Sequence, residues 1–177
     1  DLQQKEFINQ TLNGTNATFA NLTTVFVISS FPVALFGTNA LKLGNLFSND
    51  FAEGWTFNHT DELIWFIDQI RGWKNAVPGR DIMVLAGDIH MGGKTNISYD
   101  EEYQFRQFTS SSMASLPPPD IAFKGFESII GVENDFPSDF SDYEYEHYSW
   151  TNKYNYGLLA VNVTDGQSHI DAYLVAA

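Results

Sequence analysis

Residues 81–96, DIMVLAGDIHMGGKTN, carry an unbroken apolar run straight into Gly87-Asp88-Ile89-His90 and then a glycine pair. A short apolar run bounded by turn residues reads as a buried strand. A second apolar run, Thr24 to Leu35 (TVFVISSFPVAL), precedes it, and a helical pattern lies between them. That helix is expected to start at Thr60-Asp61-Glu62, an N-cap hydroxyl followed by negative charge against the dipole. It buries a stripe of Leu63, Phe66, Ile67 and Ile70 and ends near Trp73. Pro78-Gly79 then turns the chain into the Asp81 strand. Strand, helix and strand in this order, with both strands apolar, imply partly parallel pairing through a right-handed crossover. The expected fold class is therefore α/β: a mixed sheet in a layered sandwich flanked by helices.

Other segments extend this frame. Leu2 to Leu12 has Leu2, Phe7, Ile8 and Leu12 near helical spacing, with Gly14 ending the helix. Phe105 to Ser111 reads as a strand entering a serine turn. Tyr156–Val163 and Ile170–Val175 read as a hairpin around Asp165-Gly166. Pro117-Pro118-Pro119 reads as a stiff connector. Glu133 to His147 interleaves Glu133, Asp135, Asp139, Asp142, Glu144 and Glu146 with Phe136, Phe140, Tyr143 and Tyr145. It reads as a solvated excursion whose aromatics pack downward, with a calcium-holding or substrate-covering loop as the sharper alternatives.

Side chains two apart at a strand end share a face, so Asp88 and His90 are expected to project together. A carboxylate and an imidazole side by side suit a divalent or trivalent metal that activates water, and Gly92 and Gly93 would let backbone approach an anionic substrate. The structural alternative is a turn in which Asp88 caps the loop and His90 is a packed histidine. Thr109 to Ser112 could add hydroxyls near such a site, or form an ordinary turn.

The flanks of this strand end carry a resemblance. Trp55-Thr56-Phe57-Asn58-His59-Thr60-Asp61-Glu62-Leu63, then the Asp81 strand with Gly87-Asp88-Ile89-His90, then Phe105 to Ser112 and Asn155-Tyr156-Gly157-Leu158-Leu159 occur in that order. In this they resemble the C-terminal half of the alkaline phosphatase D (PhoD-like) branch of the calcineurin-like metallophosphoesterases. The resemblance implies a metallophosphoesterase-type β-sandwich and hydrolysis of a phosphoester small molecule. It also implies a two-metal site to which Asp88 and His90 contribute, with Fe, Ca, Zn or Mn as candidate metals. In an enzyme His59, just before the helix, could be a substrate-side acid or outer group, the alternative being a structural histidine at the helix start. Ser30-Phe31-Pro32 stands where many superfamily members place a metal-binding histidine two residues before the proline, so that ligand is absent. The Asp-x-His, Gly-Asp and Asn motifs of the family's N-terminal half are also absent. Residues 1–177 are accordingly expected to be a single domain or the C-terminal half of a larger one, completed by an N-terminal half of the same protein.

Charge and modification signals bound the partners. With 22 acidic and 9 basic residues the chain carries a formal charge of −13, which repels nucleic acid. A metal cluster can invert that field locally for a phosphoester. The most apolar stretch, Thr24 to Gly37, is broken by Ser29, Ser30 and Pro32 and is shorter than the roughly 20 residues of a membrane helix, so no membrane span is expected. Cysteine is absent, but sequons stand at Asn13, Asn16, Asn21, Asn58, Asn96 and Asn162, none with a central proline. They point to N-linked glycans and a secreted or cell-surface protein. The competing function is a non-catalytic structural or interaction glycoprotein that keeps the scaffold without the chemistry.

Overall fold

The computed structural model describes residues 2–13, 19–35, 37, 59–110, 116–130, 136 and 142–177. Asn16, Asn58, Ser111, Ser112, Glu133, Asp135, Asp139 and Phe140 lie outside them. The elements are α1 (Leu2–Leu12), β1 (Thr24–Ile28), α2 (Thr60–Ala76), β2 (Asp81–Ala86), β3 (Gly92–Tyr99), β4 (Glu102–Thr109), α3 (Asp120–Ile130), β5 (Tyr143–Thr151), β6 (Asn155–Thr164) and β7 (Gln167–Ala176). The fold is α/β, with a mixed five-stranded sheet in the order β1-β2-β4-β3-β5 and a separate two-stranded sheet of β6 and β7. β1 pairs with β2 and β2 with β4 in parallel, while β3 runs against both β4 and β5. The carboxyl ends of β1, β2, β4 and β5 therefore share one edge of the sheet, from which the β2–β3 connection also departs.

Alternation along the central strands fills two cores. Ile82 and Val84 of β2, Val25 and Val27 of β1 and Phe105 of β4 pack with Leu63, Phe66, Ile67, Ile70 and Trp73 of α2. Met83 and Leu85 of β2, Phe26 and Phe108 instead meet Ile170, Ala172, Leu174 and Leu159 of the hairpin. A strand covered on both faces needs apolar residues at every position, which is why 82–85 lacks polar alternation. The hairpin is locked to the sheet by Asp81, whose Oδ2 accepts from Arg106 Nη2 at 3.2 Å and from the Ile170 amide at 2.9 Å. Arg106 Nη2 also donates to the Ile170 carbonyl at 2.6 Å. The hairpin's outer face exposes Tyr156, Leu158, Tyr173 and Val175.

The helix ends differ from the sequence reading. His59, not Thr60, occupies the N-cap of α2, and no side chain caps it. At the other end the helix runs past Trp73 to Ala76, where Arg80 donates to the Trp73 carbonyl at 2.9 Å and lies 4.5 Å from its ring. This satisfies a terminal carbonyl with a cation at the negative end of the dipole. In α1 only Ile8 and Leu12 of the expected stripe pack, while Leu2 and Phe7 are exposed. The helix is tied to α2 by the Lys5–Glu62 pair at 2.6 Å.

Three elements escape the sequence reading. β3 begins at the glycine pair expected to be a turn, α3 follows the prolines directly, and β5 occupies the end of the acidic segment. Tyr143 and Tyr145 of β5 are buried with Phe136, as expected for aromatics that pack downward, but within a sheet strand and not a surface excursion. Both hairpin turns place two consecutive residues at positive φ, Asp100-Glu101 and Asp165-Gly166, as a tight two-residue turn between twisted strands requires.

Candidate functional site

β2 ends at Ala86, so Gly87 to Met91 is a connection and not, as expected from sequence, a continuation of the strand. It passes the carboxyl end of β4 to reach β3, a displacement of roughly 10 Å at ordinary strand spacing. To do so the backbone bends sharply. Ile89 N–H donates to the Gly87 carbonyl at 2.9 Å while Asp88 sits at φ 69°, a γ-turn of the rare, strained hand. His90 is left-handed as well, at φ 58°. Asp and His tolerate this region better than most residues, yet each such position costs energy that the surrounding packing must supply.

That packing comes from the residues between and after them. Ile89 and Met91 join Leu35, Phe31, Phe123 of α3 and Trp150 of β5 in a small apolar cluster. Asp88 and His90 are both exposed. Both stand on a bent loop whose alternate residues are anchored, without the strand geometry expected for them.

Beneath the cluster lies a row of polar side chains that sequence reasoning did not single out. Thr95, Gln107 and His147 are direct cross-strand neighbours on β3, β4 and β5. Gln107 Oε1 accepts from the Val33 and Ala34 amides at 2.7 and 3.0 Å, and its Nε2 donates to the Ala34 carbonyl at 2.8 Å. His147 Nε2 lies 3.0 Å from the Leu35 carbonyl and its Nδ1 lies 2.8 Å from Thr95 Oγ1. A carbonyl can only accept, so Nε2 carries the proton and the Thr95 hydroxyl donates to Nδ1. Burial pushes the His147 pKa down to about 4, opposed by its bond to Leu35, which keeps the ring neutral. The row fixes residues 33–35, and Leu35 in turn braces Ile89 and Met91. In sequence Thr95, Gln107 and His147 look like the solvent side of half-buried strands, so no local signal marks them.

The glycines have a different role from the one their spacing suggests. A Cβ on Gly93 would enter the indole ring of Trp150, and one on Gly92 would lie 2.6 Å from Asn155 Oδ1. Their missing side chains admit the protein's own neighbours, which leaves no space there for a substrate anion. Thr109 is buried beside Gln107, and Ser110 Oγ lies 3.4 Å from Asn155 Oδ1, so both hydroxyls serve the scaffold. His59 pairs with Glu62 at 3.5 Å at the start of α2.

As metal ligands, Asp88 and His90 offer one carboxylate and one imidazole, the donor types that first-row metals accept. No group of three or more His, Cys, Asp and Glu that could hold a metal occurs among the described residues, so His59 is not brought together with them in such a group. Of the sequon asparagines, Asn13, Asn21 and Asn162 are exposed and Asn96 is half-buried. None of the described helices is long and apolar enough to cross a membrane. Comparisons with protein-family models, with curated proteins and with solved structures give no match.

Proposed function

We propose that this chain supplies Asp88 and His90 to a metal-dependent phosphoester-hydrolysing site of the PhoD-like kind, the other ligands coming from chain outside the described residues. The observation that carries this reading is the strained bend at 88–90. Two metal-capable side chains are held out to solvent at the carboxyl edge of parallel strands, where α/β sheets collect their sites, by a loop with two non-glycine residues at positive φ. A loop that needed only to join β2 to β3 would gain from glycine at 88 and 90. In this reading the five-stranded sheet and the hairpin stacked on it are two layers of a metallophosphoesterase sandwich.

Asp88 and His90 would help to hold metal ions, which when bound would supply phosphoryl polarisation and water activation. The chain's own part is positional. Asp88 contributes a carboxylate oxygen and His90 a ring nitrogen, while Ile89 and Met91 hold both at fixed spacing against Leu35 and Trp150. His59, linked to Glu62, is a secondary candidate for proton donation to a leaving group.

Metal content and phosphodiester turnover, measured side by side on the longest natural form of the protein, test the proposal. Asp88→Ala and His90→Ala should each lower metal content and abolish turnover while leaving the far-ultraviolet circular dichroism unchanged, because both side chains are exposed and leave no cavity. His59→Ala should keep its metals and lose roughly 10- to 1000-fold in turnover, the range of outer-contact and general-acid roles. Full metal occupancy and near-normal turnover in Asp88→Ala would remove Asp88 from the site, whereas neither metal nor turnover in the unmutated protein would replace this reading with the second one, a non-catalytic secreted glycoprotein domain. That alternative draws on the open exposure of Asn13, Asn21 and Asn162.

A further inference from the structure

Away from the carboxyl-edge loop, on the hairpin side of the sheet, β3, β4 and β5 meet β7 around a small half-open pocket of about 30 Å³. Its lining includes Lys94, Arg106 and Tyr148 above an apolar floor of Met83, Phe108 and Ala172. The register explains how these polar groups come together. Lys94 stands opposite both Phe108 and Tyr148, and Arg106 lies two residues before Phe108, which makes it a diagonal neighbour of Lys94.

All three offer hydrogen-bond donors without a partner. Among the described residues Lys94 makes no ion pair, the Tyr148 hydroxyl makes no hydrogen bond, and Arg106 Nε is buried with no acceptor. Arg106 Nη2 is already committed to Asp81 and the Ile170 carbonyl, which aligns the guanidinium and neutralises Asp81. Burial raises the Tyr148 pKa, opposed by Arg106 and reinforced by Glu146, so the hydroxyl remains a donor. Glu146 is exposed and faces Asn96 on the same side of the sheet. Two cations side by side are unusual in a chain with 9 basic and 22 acidic residues, because a neighbouring acid is the statistically available partner.

We infer that this pocket binds a compact oxyanion, phosphate, sulfate or carboxylate in kind, with Lys94 Nζ, Arg106 Nε and the Tyr148 hydroxyl as its donors. Unpaired donors in a lining whose one side-chain amide oxygen, that of Gln107, is already bonded to the Val33 and Ala34 amides select an anion over a neutral or cationic ligand, and charge-assisted bonds give it strength. Met83, Phe108 and Ala172 provide a surface for an apolar substituent on the anion. The inference is independent of the Asp88–His90 proposal and requires no metal.

Calorimetric titration of the 177-residue chain, made without glycans, with inorganic phosphate and with acetate tests it, using chloride at matched ionic strength as the control. Saturable binding of phosphate or acetate is expected, and the preferred probe tells a dianion site from a carboxylate site. Lys94→Gln should weaken it by roughly 10- to 100-fold and Tyr148→Phe by a few-fold, the worth of a charged and a neutral hydrogen bond. Asp88→Ala and added chelator should leave it unchanged. Phosphate and acetate indistinguishable from chloride, or binding that survives Lys94→Gln, would overturn the inference. Binding lost in Asp88→Ala but retained in Lys94→Gln would also do so, by placing the anion at the carboxyl edge. Arg106 is left native because it also anchors the hairpin.

Discussion

At the residue scale, His147 and Gly93 show how single positions support the loop that carries Asp88 and His90. The folded protein holds His147 neutral, with a pKa near 4 against an ordinary 6.5. As pH falls below 6.5 the unfolded chain takes up a proton that the folded chain refuses until about 4. Stability therefore drops through that window and levels off below it. The shift corresponds to about 3 kcal/mol at one proton. Urea denaturation between pH 7 and 4 should show this slope, and His147→Gln, whose amide can still donate to the Leu35 carbonyl, should flatten it. Gly93→Ala acts through space rather than charge. Its methyl collides with Trp150, so we expect a loss of about 1–3 kcal/mol together with a change in tryptophan fluorescence, the usual cost of overpacking.

At the scale of elements, the β6–β7 hairpin depends on polar contacts as much as on its turn. Asp165-Gly166 supplies the two positive φ values that a short hairpin needs, so the sequence reading located the turn correctly. Two strands alone are marginal in water, and this pair gains its place by covering Met83 and Phe108 and by the Asp81–Arg106–Ile170 contacts. Asp81→Ala leaves the Ile170 amide without its acceptor and the Arg106 guanidinium with the Ile170 carbonyl but no counter-charge. We expect it to cost about 2–3 kcal/mol, as unpaired buried groups do. Hydrogen exchange should report the loss first in β7, with the amides of α2 less affected. A uniform loss of protection across the chain would show instead that the hairpin and sheet open as one unit. The α2 stripe of Leu63, Phe66, Ile67 and Ile70 was legible because helical period survives any tertiary context, whereas β5 was hidden by a composition that resembles a solvated loop.

For the whole molecule, exposure orders the sequons and chemistry limits the isolated chain. Asn162 lies on the outward face of β6 opposite His169, which leaves its amide open to a glycan despite its place in a strand. Asn96 is half-buried on the sheet face opposite Arg106. Protein from its natural source should carry glycans at Asn13, Asn21 and Asn162 with higher occupancy than at Asn96, read by peptide mass spectrometry before and after glycosidase. An unmodified mass at every site would remove the secretory proposal. The 177-residue chain by itself should show little or no phosphatase activity, since no group of three or more metal-capable side chains occurs among the described residues, and one carboxylate and one imidazole cannot hold two metals at the roughly 3.5–4 Å that two-metal hydrolysis uses. Robust metal-dependent turnover by that chain would mean that residues outside the described set complete the site.

The chain's own letters determined its class and much of its frame. Apolar runs at 24–28 and 81–86 with a helical stripe between them dictate a parallel pair, because a strand without polar alternation must be covered on both faces. The letters also brought Asp88 and His90 forward as a pair. Tertiary structure decided how that pair is held. Only when β3 and β5 lie beside β4 do Thr95, Gln107 and His147 become one polar row under residues 33–35, and only then do Gly92 and Gly93 meet Asn155 and Trp150. Lys94, Arg106 and Tyr148 likewise converge through strand register. Local propensity reports the period of a segment, but a site built from cross-strand neighbours depends on which strands pair and in what alignment, and that is fixed by the packing of the whole sheet.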